Sequence, residues 1–86
     1  MGIFYTYVLE SEQTGQLYIG QTQDYKERLE RHNSDRNKWT KGKGPWHLLG
    51  YRSHSSRSEA IRLERKLKSW KNPQRVKAWL ADNTGG

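Results

Sequence analysis

The chain contains no cysteine. Disulfides and cysteine-ligated zinc are thereby excluded, zinc fingers included, although compartment is left open. No apolar run approaches membrane-spanning length, and the N-terminus lacks the charged-then-apolar layout of a signal peptide. An intracellular, cytoplasmic protein without a membrane partner is expected. Acidic residues are scarce: 9 Asp and Glu face 16 Lys and Arg, a formal charge of +7. That balance favours a polyanionic partner, nucleic acid ahead of an anionic membrane surface. Hydrophobic residues make up only 31% of 86 positions, which leaves no room for a second core. One domain is expected over residues 1–82, followed by a flexible tail at 83–86.

Four Trp, five Tyr and one Phe give the small apolar fraction bulk. Aromatics bury more area per residue than aliphatics, so a core can be assembled from few positions and disorder is disfavoured. Ile3 to Leu9 alternates Tyr5, Tyr7 and Leu9 against Phe4, Thr6 and Val8, the pattern of a strand. Glu10 to Gln16 is polar and contains Thr14-Gly15, so a hairpin should lead into a returning strand over Leu17–Thr22. Asp24 and Glu27 have the spacing of a capping box that opens a helix with Arg28 and His32 on one side. A basic loop follows, carrying Lys38, Lys41 and Lys43. It reads either as a solvated loop or as an arm that tracks phosphates.

Trp46 to Tyr51 reads as a third strand. Ser56 and Glu59 make a second capping box, and Ala60, Leu63, Leu67 and Trp70 form the stripe of a helix with Glu64 at its edge. Asn72-Pro73 looks like a cap and first turn of a last helix that buries Val76, Leu80 and Trp79. The expected fold is α+β: a small three-stranded antiparallel sheet flanked by three helices.

Tyr5-Thr6-Tyr7, Tyr18-Ile19-Gly20, Arg28, His32 and Glu64, in this order and on these elements, resemble the GIY-YIG nuclease superfamily, in particular its small, single-domain, excision-nuclease-subunit-like members. The first triplet keeps only its last tyrosine, whereas the second is intact. The resemblance implies a metal-dependent endonuclease hydrolysing DNA phosphodiester bonds, structure-selective more than sequence-specific, with a place in DNA repair or recombination. It implies catalytic roles for Tyr7, Tyr18, Arg28, His32 and Glu64, with Glu64 holding one Mg²⁺ or Mn²⁺. One tyrosine, preferably Tyr18, would be the general base, with Tyr5 left to structure. Gly20 would let the helix bearing Arg28 approach the sheet closely. Many relatives place an asparagine after the metal helix, and Asn72 and Asn83 are the two candidates.

Elementary chemistry agrees with this reading. Phosphodiester hydrolysis needs an in-line nucleophile, charge neutralisation at the phosphoryl oxygens and help for the leaving oxygen. Arg28 is a permanently charged fork suited to phosphate, and Mg²⁺ or Mn²⁺ takes only one or two protein carboxylates. Each residue also has a plainer use. Strand tyrosines pack cores, a helix-end histidine is usually structural, and Glu64 can pair with Lys68 four residues on. The alternative function is a non-catalytic DNA- or RNA-binding module with the same fold. With no separate DNA-reading module, selectivity would come from DNA shape or a protein partner, with RNA not excluded as a substrate.

Overall fold

In the computed structural model, which describes residues 2–34 and 40–83 (Asn83 by its backbone alone), the expected strand and helix order is realised. Strands β1 (Phe4–Ser11), β2 (Leu17–Thr22) and β3 (Trp46–His54) form one antiparallel sheet in the order β2-β1-β3. Helices α1 (Tyr25–Asn33), α2 (Arg57–Trp70) and α3 (Pro73–Asn83) complete the α+β layers.

Strand β1 is central and covered on both faces, so Thr6, Tyr7, Val8 and Leu9 are all buried despite their alternation. One face packs Tyr7, Leu9 and Trp46 against Tyr18, Tyr25 and Leu29, with α1 as its cover. The other packs Val8 and Ile19 against Leu67, Val76 and Leu80 of α2 and α3. Full burial of each such aliphatic side chain contributes roughly 1.5–3 kcal/mol.

Two strands outrun their apolar patterns. Strand β1 continues through Glu10 and Ser11, where a turn is expected from composition, because these residues pair with His47 and Trp46. Strand β3 continues past Tyr51 because Arg52, Ser53 and His54 pair with Thr6, Tyr5 and Phe4. Pairing to a central strand satisfies these polar backbones, which hydropathy cannot reveal. The hairpin closes through Ser11 N–H to Gln16 O (2.9 Å) and Gly15 N–H to Ser11 O (2.9 Å), with Gly15 at φ 73°.

The helix starts follow their caps. Asp24 Oδ1 accepts from the amides of Lys26 and Glu27, both at 3.1 Å. Glu27 does not reach back to complete a capping box; its carboxylate pairs with Arg31 Nε at 3.2 Å. Ser56 Oγ accepts from Glu59 N–H at 3.3 Å. Asn72 Oδ1 accepts from the amides of Gln74 (3.0 Å) and Arg75 (3.1 Å), which makes Asn72 the cap of α3.

Candidate active site

Strands β1 and β2 place Tyr7 opposite Gly20, because Leu9 pairs with Tyr18 and the register then runs outward. The phenol of Tyr7 lies across Gly20. A Cβ at position 20 would stand 2.8 Å from Tyr7 Oη, 2.9 Å from Tyr7 Cζ and 3.1 Å from Tyr18 Cε1. The absent side chain therefore makes room for the tyrosine pair. This differs from the expected use of Gly20, a close approach by α1. The atoms nearest to that missing Cβ belong to the two tyrosines.

Helix α1 completes the cluster. His32 is 1% exposed, and its Nε2 shares a hydrogen bond with Tyr7 Oη at 3.2 Å. Its Nδ1 shares another with Thr40 Oγ1 at 2.8 Å. With the ring proton on Nδ1, His32 donates to Thr40 and accepts from the Tyr7 hydroxyl. Burial first, then the charges of Arg28 and Arg31, hold the His32 pKa below its ordinary value. The imidazole is therefore a neutral hydrogen-bond link at pH 7. The ring of Tyr18, half-buried, lies 4.4 Å from His32 and 6.2 Å from Tyr7, centroid to centroid.

Two threonines and an asparagine hold this arrangement, and neither composition nor motif spacing singles them out. Thr22 is buried, and its Oγ1 accepts from Arg28 Nε at 3.4 Å and from Asp24 N–H at 3.1 Å. Arg28 is thus tethered through Nε, while its terminal nitrogens have no hydrogen-bond partner among the described residues. Thr40 is buried beneath His32, and its carbonyl accepts from the Trp46 indole N–H at 3.2 Å. Asn33 clips the end of α1 to the start of β3, donating to Trp46 O (2.9 Å) and accepting from Trp46 N–H (2.6 Å).

The electrostatics of Tyr7 report which charges surround it. Burial raises its pKa far above the ordinary value, and Tyr18 raises it further. Arg28 acts in the opposite direction, while Glu64 and Glu27 again raise it. Arg28 on α1 and Glu64 on α2 thus both bear on the charge state of this phenol. Tyr7 keeps its proton at neutral pH and serves there as a hydrogen-bond donor.

Glu64 sits at the edge of the α2 stripe with its side chain 19% exposed, as the helical spacing implies. Its Oε2 accepts from Lys68 Nζ at 2.6 Å, so an ammonium already stands beside the carboxylate. Among the described residues no group of three His, Cys, Asp or Glu side chains is gathered for a metal. A lone half-buried carboxylate nonetheless fits a hard, largely hydrated cation such as Mg²⁺ or Mn²⁺. Of the loop lysines, Lys43 lines a groove beside Tyr18, Lys41 is exposed outside that lining, and Lys38 lies outside the described residues. The side chain of Asn83 also lies outside them.

The same architecture occurs in a solved relative. The solution NMR structure of a UPF0213 protein from Bacillus halodurans superposes with a TM-score of 0.59 at 30% identity, covering 96% of this chain and 87% of that one. A UPF0213 protein of Streptococcus pneumoniae is 39% identical over 92% of this chain and 79% of its own length. One from Staphylococcus aureus is 31% identical over 73% of this chain and 78% of its own length. The profile of the GIY-YIG catalytic domain matches residues 3–77. With the profile spanning residues 3–77 and Tyr7 laid across Gly20 beside Tyr18, the chain belongs to the GIY-YIG nuclease superfamily.

Proposed function

We propose that this protein is a metal-dependent endonuclease that hydrolyses DNA phosphodiester bonds and selects its substrate by structure, in DNA repair or recombination. The observation that carries the reading is the ring cluster over Gly20, where Tyr7 is hydrogen-bonded to buried His32 beside Tyr18, with Arg28 tethered by Nε to Thr22 on the strand that bears Tyr18. A pure nucleic-acid binder gains nothing from a carboxylate, Glu64, bearing on the same phenol.

The roles divide by exposure. Arg28, held by Thr22 through Nε, offers its terminal nitrogens to the phosphoryl oxygens as charge builds on them. Tyr18, half-buried and open to the neighbouring groove, positions the attacking water and, acting as the phenolate, takes the proton that the water loses as its oxygen attacks phosphorus. Tyr7 keeps its own proton and hydrogen-bonds within the site, its ring fixed by His32 and Gly20. His32 is a positioning residue. Glu64 would hold the cation, with its Oε2 released from Lys68. When bound, Mg²⁺ or Mn²⁺ supplies Lewis-acid neutralisation of the phosphate and assistance to the leaving oxygen.

The test is cleavage of supercoiled plasmid and labelled branched DNA at low salt with Mg²⁺, Mn²⁺ or EDTA, beside Arg28→Ala and Glu64→Ala. Metal-dependent nicking lost in both variants, with unchanged folding, is the expected result. The Lys68–Glu64 ion pair favours a second reading, a DNA- or RNA-binding module whose carboxylate is permanently occupied. Salt-sensitive binding that persists in EDTA, with no product under any metal or with added cell extract, would establish that module instead.

A further inference from the structure

A groove of about 570 Å³ runs along the outer edge of β2, between the 40–45 loop and the α2–α3 junction. Its size falls in the range of roughly 300–1,000 Å³ that accepts a small ligand. Leu17, Leu67 and Val76 give it an apolar floor, and Lys43, Lys68 and Lys71 stand on its walls. No Asp or Glu lines it among the described residues. Tyr18 belongs both to this groove and to the tyrosine pair, and Lys68 joins the groove to Glu64. Whatever occupies it therefore lies one side chain away from the site.

An apolar floor with an aromatic ring and several ammonium groups matches a ligand that is flat and apolar at one end and anionic at the other. A nucleotide has that form: bases accept aromatic and apolar faces without regard to sequence, and lysines take the phosphates. Among the described residues, neither Lys43 nor Lys71 ion-pairs with a carboxylate. Lys71 carries a second signal. It caps α2 in the left-handed region, at φ 51° and ψ 35°, the only described non-glycine residue with positive φ. Glycine is the usual occupant of such a cap because it lacks the clashing Cβ. A lysine at this place gives up backbone comfort and puts a charge on the groove.

We propose that this groove binds an unpaired nucleotide of the cleaved strand, next to the scissile phosphate, with its base on the floor and its phosphates on Lys43 and Lys71. The proposal rests on the nuclease reading for the identity of the strand, and it gives that reading a source of structure selectivity. A paired base remains in its stack, whereas an unpaired one is free to turn into the groove.

The test uses the full chain, in EDTA and low salt, with a flap DNA carrying 2-aminopurine at the first unpaired nucleotide and a duplex of equal length. Wild type should prefer the flap and change the 2-aminopurine fluorescence. Lys71→Gly should keep or raise the thermal midpoint, yet lose flap affinity on the order of tenfold. The magnitude of its salt slope should fall by about 0.7, the amount expected for one single-strand phosphate contact. Lys26→Ala, which removes the same charge from the exposed first turn of α1, should leave the flap preference intact. Equal losses on flap and duplex in both variants, or no flap preference in wild type, overturns the proposal. So does an unchanged 2-aminopurine signal when wild type saturates the flap DNA. Flap preference without metal-dependent cleavage would sink the nuclease reading and keep the groove as a nucleotide site; cleavage without preference would do the reverse.

Discussion

The two faces of the sheet are built from alternate residues of the same strand, and they differ in kind. Toward α2 and α3, Val8 meets Ile19, Leu67, Val76 and Leu80, an aliphatic layer held by area. Toward α1, Tyr7 meets Tyr18 and His32 in a layer of rings joined by hydrogen bonds through to Thr40. The aliphatic face tolerates small shifts of its atoms, because dispersion and burial are non-directional. The ringed face does not, because each of its groups is held by distance and angle. Stability and chemistry are thus separated by the pleat of β1, with α2 contributing to both through Leu67 and Glu64.

The largest effects should separate the faces outright. Arg28→Ala should lower cleavage by a factor on the order of 10²–10³, as loss of a charge-stabilising donor does, while its denaturation midpoint stays near wild type. Leu80→Ala, across the sheet, should cost about 2–5 kcal/mol of stability with specific activity of the folded fraction retained. Parallel urea titrations and initial-rate measurements decide the matter. A destabilised Arg28→Ala with proportionate activity would erase the distinction.

A smaller effect probes the fit of Tyr7 over Gly20. Gly20→Ala places a methyl group 2.8 Å from Tyr7 Oη, and overpacking of this kind costs about 1–3 kcal/mol. The cost should shrink when Tyr7→Leu is introduced with it, since the obstructing ring is then gone. A double-mutant cycle by chemical denaturation reads the coupling. Equal costs in both backgrounds would mean that another atom receives the methyl group. Tyr7→Phe alone leaves buried His32 Nε2 without its partner and should cost about 1–3 kcal/mol.

The aliphatic face was the more legible one in the sequence. Ala60, Leu63, Leu67 and Trp70 repeat at helical spacing, and Asp24, Ser56 and Asn72 announce helix starts through chemistry local to a few residues. The motif residues Tyr7, Tyr18, Arg28 and Glu64 were legible through their order along the chain. What holds them was not. Thr40 meets His32 only because the loop returns to α1, and Thr22 is an ordinary strand residue until Arg28 Nε reaches it. Clearance for a helix is the reading that sequence offers at Gly20, because no local pattern tells what crosses above a glycine. That required the antiparallel register that sets Tyr7 opposite it. The last residues of β3 escaped for a related reason, since their pairing partner lies some fifty positions upstream (His54 against Phe4).

The smallest effect lies in the pH dependence of the ringed face. Burial depresses the His32 pKa below its ordinary value near 6.5, so between the two values the unfolded chain binds more protons than the folded one. Stability is therefore complete above about pH 6.5 and declines as pH falls toward the folded-state value. His54, also depressed by burial and by Arg52 against the pull of Glu59, contributes with the same sign. Glu10, lowered chiefly by its hydrogen bond with Lys77, acts only in the carboxylate range below this window. One proton bounds each histidine's slope at about 1.4 kcal/mol per pH unit. Thermal midpoints of wild type and His32→Gln between pH 5.5 and 7.5 should converge as pH falls, because the variant has lost one of the two slopes. Parallel curves would show an imidazole unshifted by folding, and curves that diverge as pH falls would show that His32 is already protonated within the fold. The imidazole would then donate from both nitrogens, and the neutral link between Tyr7 and Thr40 would have to be abandoned.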